Sequence, residues 1–141
     1  MWISIENNIG QMTVMHAKLK EFYSSLDIEN EVKKKISITI DEVVSNIIQY
    51  GYEDSEPHHI SLNIEPLHSH VRLEFIDDGI YFDPIDYIKN NSKSRDLEQT
   101  GGVGLPLVHK ISSEMKYNRI NHKNNLIITI PNYPSIQNRN Y

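Results

Sequence analysis

Apolar positions along the chain switch between two periods, and the switches mark out its elements. "WISIE" at 2–6 alternates apolar and polar residues, the pattern of a half-buried strand. From Ile9 to Leu26, Met12, Met15, Leu19, Phe22 and Tyr23 fall at helical spacing, which predicts a helix capped by Asn7 or Asn8. "SSLDIEN" interrupts it. A second helix is expected from Glu31 to Tyr50, with Val32, Ile36, Ile40, Val43, Val44 and Ile47 as its apolar face and Gly51 placed to end it. Period two returns in "HHISLNIE" and "HVRLEFID". There Ile60, Leu62 and Ile64, then Val71, Leu73 and Phe75, alternate on either side of "PLHS", an antiparallel hairpin pattern. "DDGIYFDP" reads as a loop, "IDYIKN" as a short helix and "NSKSRDLEQTGG" as a polar loop. A helix from Val103 to Ser113 and two strands, "EMKYNRI" and "NLIITI", complete the pattern, with Asn124-Asn125 as the expected turn between them. The residues from about 131 to 141 read as a loose tail.

Strand, two helices, two strands, a loop region, one helix, two strands: this order predicts an α+β fold. It is a two-layer sandwich, with a mostly antiparallel sheet and the helices on one face. No repeat or linker divides the chain, and its 141 residues suit one domain over 1–141. Hydrophobic residues at 38% and charged residues at 23% are those of a globular protein. The net charge of -5 argues against a general nucleic-acid binder. The absence of cysteine excludes disulfides, thiolate catalysis and cysteine metal sites. The first residues lack the basic region and apolar run of a secretory signal, and no stretch approaches the length of a membrane span. A cytoplasmic location is expected, with no membrane contact.

Candidate chemistry falls in three separated stretches. On the long helix, Glu42, Ser45, Asn46 and Gln49 share one face. Such a stripe is either a solvated face or the wall of a site. The lack of Lys or Arg from Asp41 to Tyr52 weakens the first alternative. As a wall, Glu42 supplies a carboxylate that can take a proton, and Asn46 an amide oxygen suited to magnesium. In "IDDGIYFDP", Asp77 stands at a strand end, able to accept a hydrogen bond from an adenine amino group; an ordinary Asp-Gly surface turn is the alternative. In "TGGVGLPLVHK", Gly101, Gly102 and Gly104 open a helix where backbone N–H groups can meet phosphate oxygens. Glycines before a helix are common, and this signal alone is weak.

Taken together and in this order, "DEVVSNIIQYGY", "DDGIYFDP" and "TGGVGLPLVHKISSEMKY" resemble the N, G1 and G2 boxes of the GHKL ATPase superfamily, of gyrase, histidine kinase and MutL type. The likeness is greatest to the anti-sigma factor serine-protein kinases, the RsbW and SpoIIAB group. Glu42, Asn46, Gly51 and Tyr52 match that group's first box, Asp77 to Pro84 its second and Gly101 to Leu105 its third. The resemblance implies the Bergerat α/β sandwich and binding of ATP with Mg²⁺. It implies that Asn46 holds the Mg²⁺, that Glu42 is the general base and that Asp77 binds the adenine amino group. Gly79 would let the base sit against its loop. Gly101, Gly102, Val103, Gly104 and Leu105 would border the phosphates at the end of a lid over roughly 90–101.

The implied activity is that of a serine/threonine-protein kinase that phosphorylates a STAS-type anti-anti-sigma partner and sequesters a sigma factor; a homodimer is an implied option, since many members of the group are dimers. The alternative is an ATP-dependent sequestering module with little or no phosphoryl transfer. Tyr81 stands where the wider superfamily has a second glycine, Tyr50 where the group often has histidine, and Pro106 directly follows the third box. A complete sensor histidine kinase is not expected, because these residues show no phosphoacceptor-histidine helix. The seven histidines suggest surface positions rather than a zinc site, since His58 and His59 would point to opposite faces of a strand. Tyr50 and Tyr52 read as packing residues, and no nucleophile elbow is present.

Overall fold

The alternation in the sequence becomes a sheet whose inner face is almost wholly aliphatic. A computed structural model describes residues 1–91 and 104–133 of the chain. Its elements run β1 (Trp2–Glu6), α1 (Gln11–Ser24), α2 (Asn30–Tyr50), β2 (His59–Pro66), β3 (His70–Asp77), α3 (Pro84–Asn91), α4 (Gly104–Ile111), β4 (Glu114–Ile120) and β5 (Lys123–Pro131). The sheet order is β1-β2-β3-β5-β4, and each of these neighbours pairs antiparallel. Ile3, Ile5, Ile60, Leu62, Ile64, Val71, Leu73, Phe75, Leu126, Ile128 and Ile130 form one buried cluster with Met15 and Leu19 of α1, Val32, Ile36, Ile40, Val43 and Val44 of α2, and Val108 of α4. Burial of branched side chains at this density is the main stabilising term of such a fold. The architecture is the expected two-layer α+β sandwich.

Local chemistry set several boundaries differently from the sequence pattern. α1 starts at Gln11 without a side-chain cap. Asn7 is engaged elsewhere: its side-chain oxygen accepts the His58 N–H at 2.8 Å, and its own N–H donates to the His58 carbonyl at 2.9 Å. That exchange ties the end of β1 to the start of β2. The β4–β5 turn is Asn121-His122, not Asn124-Asn125. Both turn residues have left-handed φ, 52° and 61°, and Ile120 pairs with Lys123 across them. Two left-handed residues match the twist of a tight hairpin, and asparagine enters that region more readily than most residues. β5 is therefore longer than expected at its start and brings Asn124 into the sheet. It also reaches Pro131, opposite His70. Residues 134–141, the rest of the expected tail, lie outside the described residues.

Gly51 closes α2 with right-handed backbone, φ -78° and ψ -17°. Its carbonyl accepts the Ile80 N–H at 2.8 Å, so the loop after β3 docks on the end of α2. That contact brings two of the three candidate stretches together.

Candidate functional site

A cavity of about 560 Å³ lies between α2, the loop after β3, α3, the start of α4 and the ends of β4 and β5. Val43, Ile47, Phe75, Phe82 and Leu126 supply apolar walls, and Glu42, Asn46, Asp77 and Asn124 supply polar groups. Glu42, Asn46 and Tyr50 reach it because they are one helical turn apart, with Val43 and Ile47 filling the same side. Ser45 and Gln49, expected on the same wall, do not line it. Ser45 turns its hydroxyl back to the Glu42 carbonyl at 3.3 Å. Tyr50 is 55% exposed and still borders the cavity, so it sits at the rim.

Two glycines act through close approach. At Gly79 a Cβ would run into the Gly51 carbonyl oxygen and would come within 2.8 Å of the Asp77 Oδ1. The missing side chain is thus what lets the loop close on α2. Gly79 does not line the cavity itself, whereas the resemblance had placed it against the base. At Gly104 a Cβ would run into the Glu42 carboxylate, reaching its Cδ at 2.5 Å. The first residue of α4 therefore abuts the very carboxylate that α2 directs into the cavity. Leu105 follows it, buried and lining. Gly101, Gly102 and Val103 lie outside the described residues. So does the expected lid beyond Asn91, its first two residues being the last of α3.

The Asp77 carboxyl belongs to the densest hydrogen-bond network of the site. It is 6% exposed at the end of β3. Its Oδ1 accepts the Gly79 N–H at 2.9 Å and the Asn124 side-chain N–H at 3.0 Å. Asn124 donates its second N–H to the Ile80 carbonyl at 2.8 Å. The Asn124 oxygen accepts the Tyr117 hydroxyl at 2.5 Å and an Arg119 N–H at 2.9 Å. Burial pushes the Asp77 pKa up; the donors from Asn124 and Gly79 oppose it, Asp78 adds to it and Arg119 counters it. Cross-strand register makes this network possible, because Asp77 pairs with Asn124 and Asn124 with Arg119 across β3, β5 and β4.

Beside the loop, His58 is held between two carboxylates. Its Nε2 lies 2.8 Å from Asp54 and its Nδ1 3.1 Å from Asp78, while its ring stacks on Tyr52 with centroids 4.4 Å apart. The hydrogen bonds to Asp78 and then Asp54 raise its pKa. The Tyr52 hydroxyl is buried and makes no hydrogen bond of good geometry among the described residues. Burial first, then the charges of Asp77 and Asp78, push its pKa well up.

Asn124, Tyr117 and Arg119 escaped the sequence reading. A signal for Asn124 was present: Leu126, Ile128 and Ile130 alternate inward, and the same period continued two residues back points Asn124 to the inner face. The turn-like Asn-Asn pair hid it.

An apolar cavity ringed by a few polar groups at one end of a two-layer α+β sandwich is a small-ligand site. A profile of the histidine kinase-like ATPase domain matches residues 5–130, and the chain belongs to that family. Membership implies ATP binding, and it bears out the resemblance to the GHKL superfamily. The serine/threonine-protein kinase BtrW of Bordetella bronchiseptica is 25% identical over 120 residues, which cover 84% of this chain and 81% of BtrW. Among solved structures, the RsbU and RsbW domains of Rv1364c from Mycobacterium tuberculosis align with TM-score 0.62 and 16% identity, over 95% of this chain and 33% of that one. The histidine kinase domain of a blue-light activated histidine kinase from Erythrobacter litoralis aligns with TM-score 0.51 and 20% identity, over 72% of this chain and 45% of that one. This chain thus spans less than half of each solved chain. Among the described residues no helix is long and apolar enough to cross a membrane.

Proposed function

We propose that the protein is a Mg-ATP-dependent serine/threonine-protein kinase of the anti-sigma type. Its substrate is a serine of a STAS-type anti-anti-sigma partner, and it also sequesters a sigma factor in the cytoplasm, as one domain over 1–141. One observation carries this function: Glu42, Asn46 and Asp77, distant in the chain, border a single cavity of about 560 Å³. That volume suits a nucleotide-sized ligand. The name of the relative BtrW supports the choice of a hydroxyl as acceptor.

Asp77 accepts the adenine amino group, and the apolar walls exclude water from the base. Asn46 offers Mg²⁺ a single neutral oxygen. Among the described residues no group of three or more His, Cys, Asp or Glu sits together to hold a metal. Such a site fits magnesium, which keeps waters and phosphate oxygens around it rather than an all-protein cage. When bound, the ion neutralises charge on the transferring phosphoryl group. Glu42, at the Asn46 end of the cavity, takes the proton from the attacking serine hydroxyl. Gly101, Gly102, Val103, Gly104 and Leu105 are proposed to border the phosphates.

A second function is favoured by a different observation. Glu42 rests its carboxylate on Gly104, so ATP-driven adjustment of α4 against α2 would suit a sequestering module without transfer. The test mixes the protein with Mg-ATP and a STAS protein and assays phosphoserine. Transfer by the wild-type chain and its loss in Glu42→Ala is expected. Transfer undiminished in Glu42→Ala removes Glu42 as the base, and nucleotide binding with no transfer selects the module.

A further inference from the structure

Asn124 is the only side chain of β5 that both lines the cavity and hydrogen-bonds Asp77 among the described residues. Its four hydrogen-bond positions are all used. Both N–H groups donate, to Asp77 and to the Ile80 carbonyl, and the oxygen accepts from Tyr117 and Arg119. An arginine N–H can only donate, so the amide is held in one orientation, with its donors toward Asp77. Arg119 also donates to the Gly79 carbonyl at 3.2 Å, which fixes the same loop from its other side. The Oδ1 of Asp77 is thereby occupied by two donors, from Gly79 and Asn124. What Asp77 offers a ligand is an acceptor.

We propose that Asn124, oriented by Tyr117 and Arg119, is a specificity-determining positioning residue. It keeps Asp77 an acceptor and so selects a purine bearing an exocyclic amino group over one bearing a carbonyl at the same place. The inference rests on the ATP function proposed above and deepens it. A base carbonyl set against a carboxylate would leave two acceptors face to face, with no proton between them. That discrimination disappears once Asp77 holds a proton, because its O–H then donates to the carbonyl. Burial favours that proton, and Asn124 is the larger of the two hydrogen-bonding influences that oppose it. The charged and titratable groups facing Asp77 are Arg119 from β4, Asp78 on its own loop and Tyr52 after α2.

The experiment measures affinities of the full chain for ATP and for ITP, which carries a carbonyl in place of the amino group, between about pH 5 and about pH 8. The wild-type chain should favour ATP by roughly tenfold to a hundredfold across the range. Asn124→Asp replaces the donor with a second carboxylate; two carboxylates in contact share a proton. Its ATP preference should collapse, most completely at the acid end. Tyr117→Phe removes one oxygen that orients the amide and should lower the preference less, in the same direction. It decides the matter if Asn124→Asp does not fold. A merely structural role would weaken both nucleotides alike, with an unchanged ratio at every pH, and that result overturns the inference. Equal wild-type affinity for ATP and ITP overturns the inference while leaving nucleotide binding intact. Binding of neither nucleotide overturns the ATP function as well.

Discussion

The two ends of the cavity are built on different terms. At the Asp77 end, β3, β5, β4 and the following loop converge on one carboxyl through side-chain and backbone hydrogen bonds. At the Glu42 end, the polar groups stand on a single helix. Among the described residues the side chains of Glu42 and Asn46 make no hydrogen bond, and Glu42 simply rests against Gly104. A closed network fixes a recognition element before the ligand arrives, which lowers the ordering cost of binding. Groups left with open bonding capacity are suited to a ligand that brings its own ion and charge. Substitutions at the Glu42 end should therefore change chemistry and leave stability alone, whereas those at the Asp77 end should change both.

The largest effect tests the first half of that contrast. Glu42→Ala should lower phosphoryl transfer by roughly 10²- to 10⁴-fold, the usual contribution of a general base. ATP affinity and the melting temperature should stay near those of the wild type. A melting temperature that falls in step with activity would mean that Glu42 is structural. Asn46→Ala should weaken Mg-ATP binding by roughly tenfold to a hundredfold. In EDTA the variant and the wild type should converge, since the lost contact is to the ion. Equal weakening with and without the ion would detach Asn46 from the metal.

At the opposite end, Gly79→Ala should destabilise the fold by about 1–3 kcal/mol, because a Cβ there overlaps the Gly51 carbonyl and crowds the Asp77 Oδ1. The loop must then lift from α2, and the Ile80–Gly51 hydrogen bond goes with it. Chemical denaturation reads the stability and calorimetry the ATP affinity, and both should drop. A variant with intact stability and lost binding would make Gly79 a ligand contact, as the sequence resemblance implied, rather than a hinge between loop and helix.

How much of this was legible in the sequence differs in the same way between the two ends. Glu42 and Asn46 sit one turn apart on a strongly periodic helix, so local spacing alone put them on one face. The strands were legible too, because Ile60, Leu62 and Ile64 or Leu126, Ile128 and Ile130 repeat every second residue. The Asp77 network was not. Asp77, Asn124 and Arg119 become neighbours only through the register of three strands, and register across β3 and β5 depends on pairing between distant parts of the chain. The Asn121-His122 turn sets the β4–β5 part of that register, while the sequence pattern pointed to Asn124-Asn125 as the turn. Ser45 and Gln49 failed for a smaller reason: the cavity-facing arc of α2 runs from Glu42 through Asn46 and Tyr50 to Val43 and Ile47, and Ser45 and Gln49 fall just beyond its Glu42 edge.

The smallest expected effect concerns His58, at the outer edge of the Asp77 end. Both ring nitrogens face carboxylates, Asp78 on one side and Asp54 on the other, and Asn7 holds its backbone. A ring that donates from both nitrogens is protonated. Its pKa is accordingly raised from the ordinary 6.5, mainly by Asp78 and then by Asp54. A raised pKa in the folded state means that folding and proton uptake favour each other. The stabilisation is then complete below pH 6.5 and is lost as pH rises through the folded-state value. Asp54, Asp78 and the His58 ring are solvent-accessible to different degrees, so salt should also weaken the effect. His58→Gln retains a donor and removes the charge. The wild type should therefore melt above the variant at acid pH, and the gap should narrow steadily on the alkaline side. ATP affinity should follow only weakly, because Asp78 adjoins Asp77 without sharing its hydrogen bonds. A gap constant in pH would show that the imidazole acts by stacking on Tyr52 alone, and the Asp77 end would then owe its rigidity to Asn124 and Arg119 without help from this ion cluster.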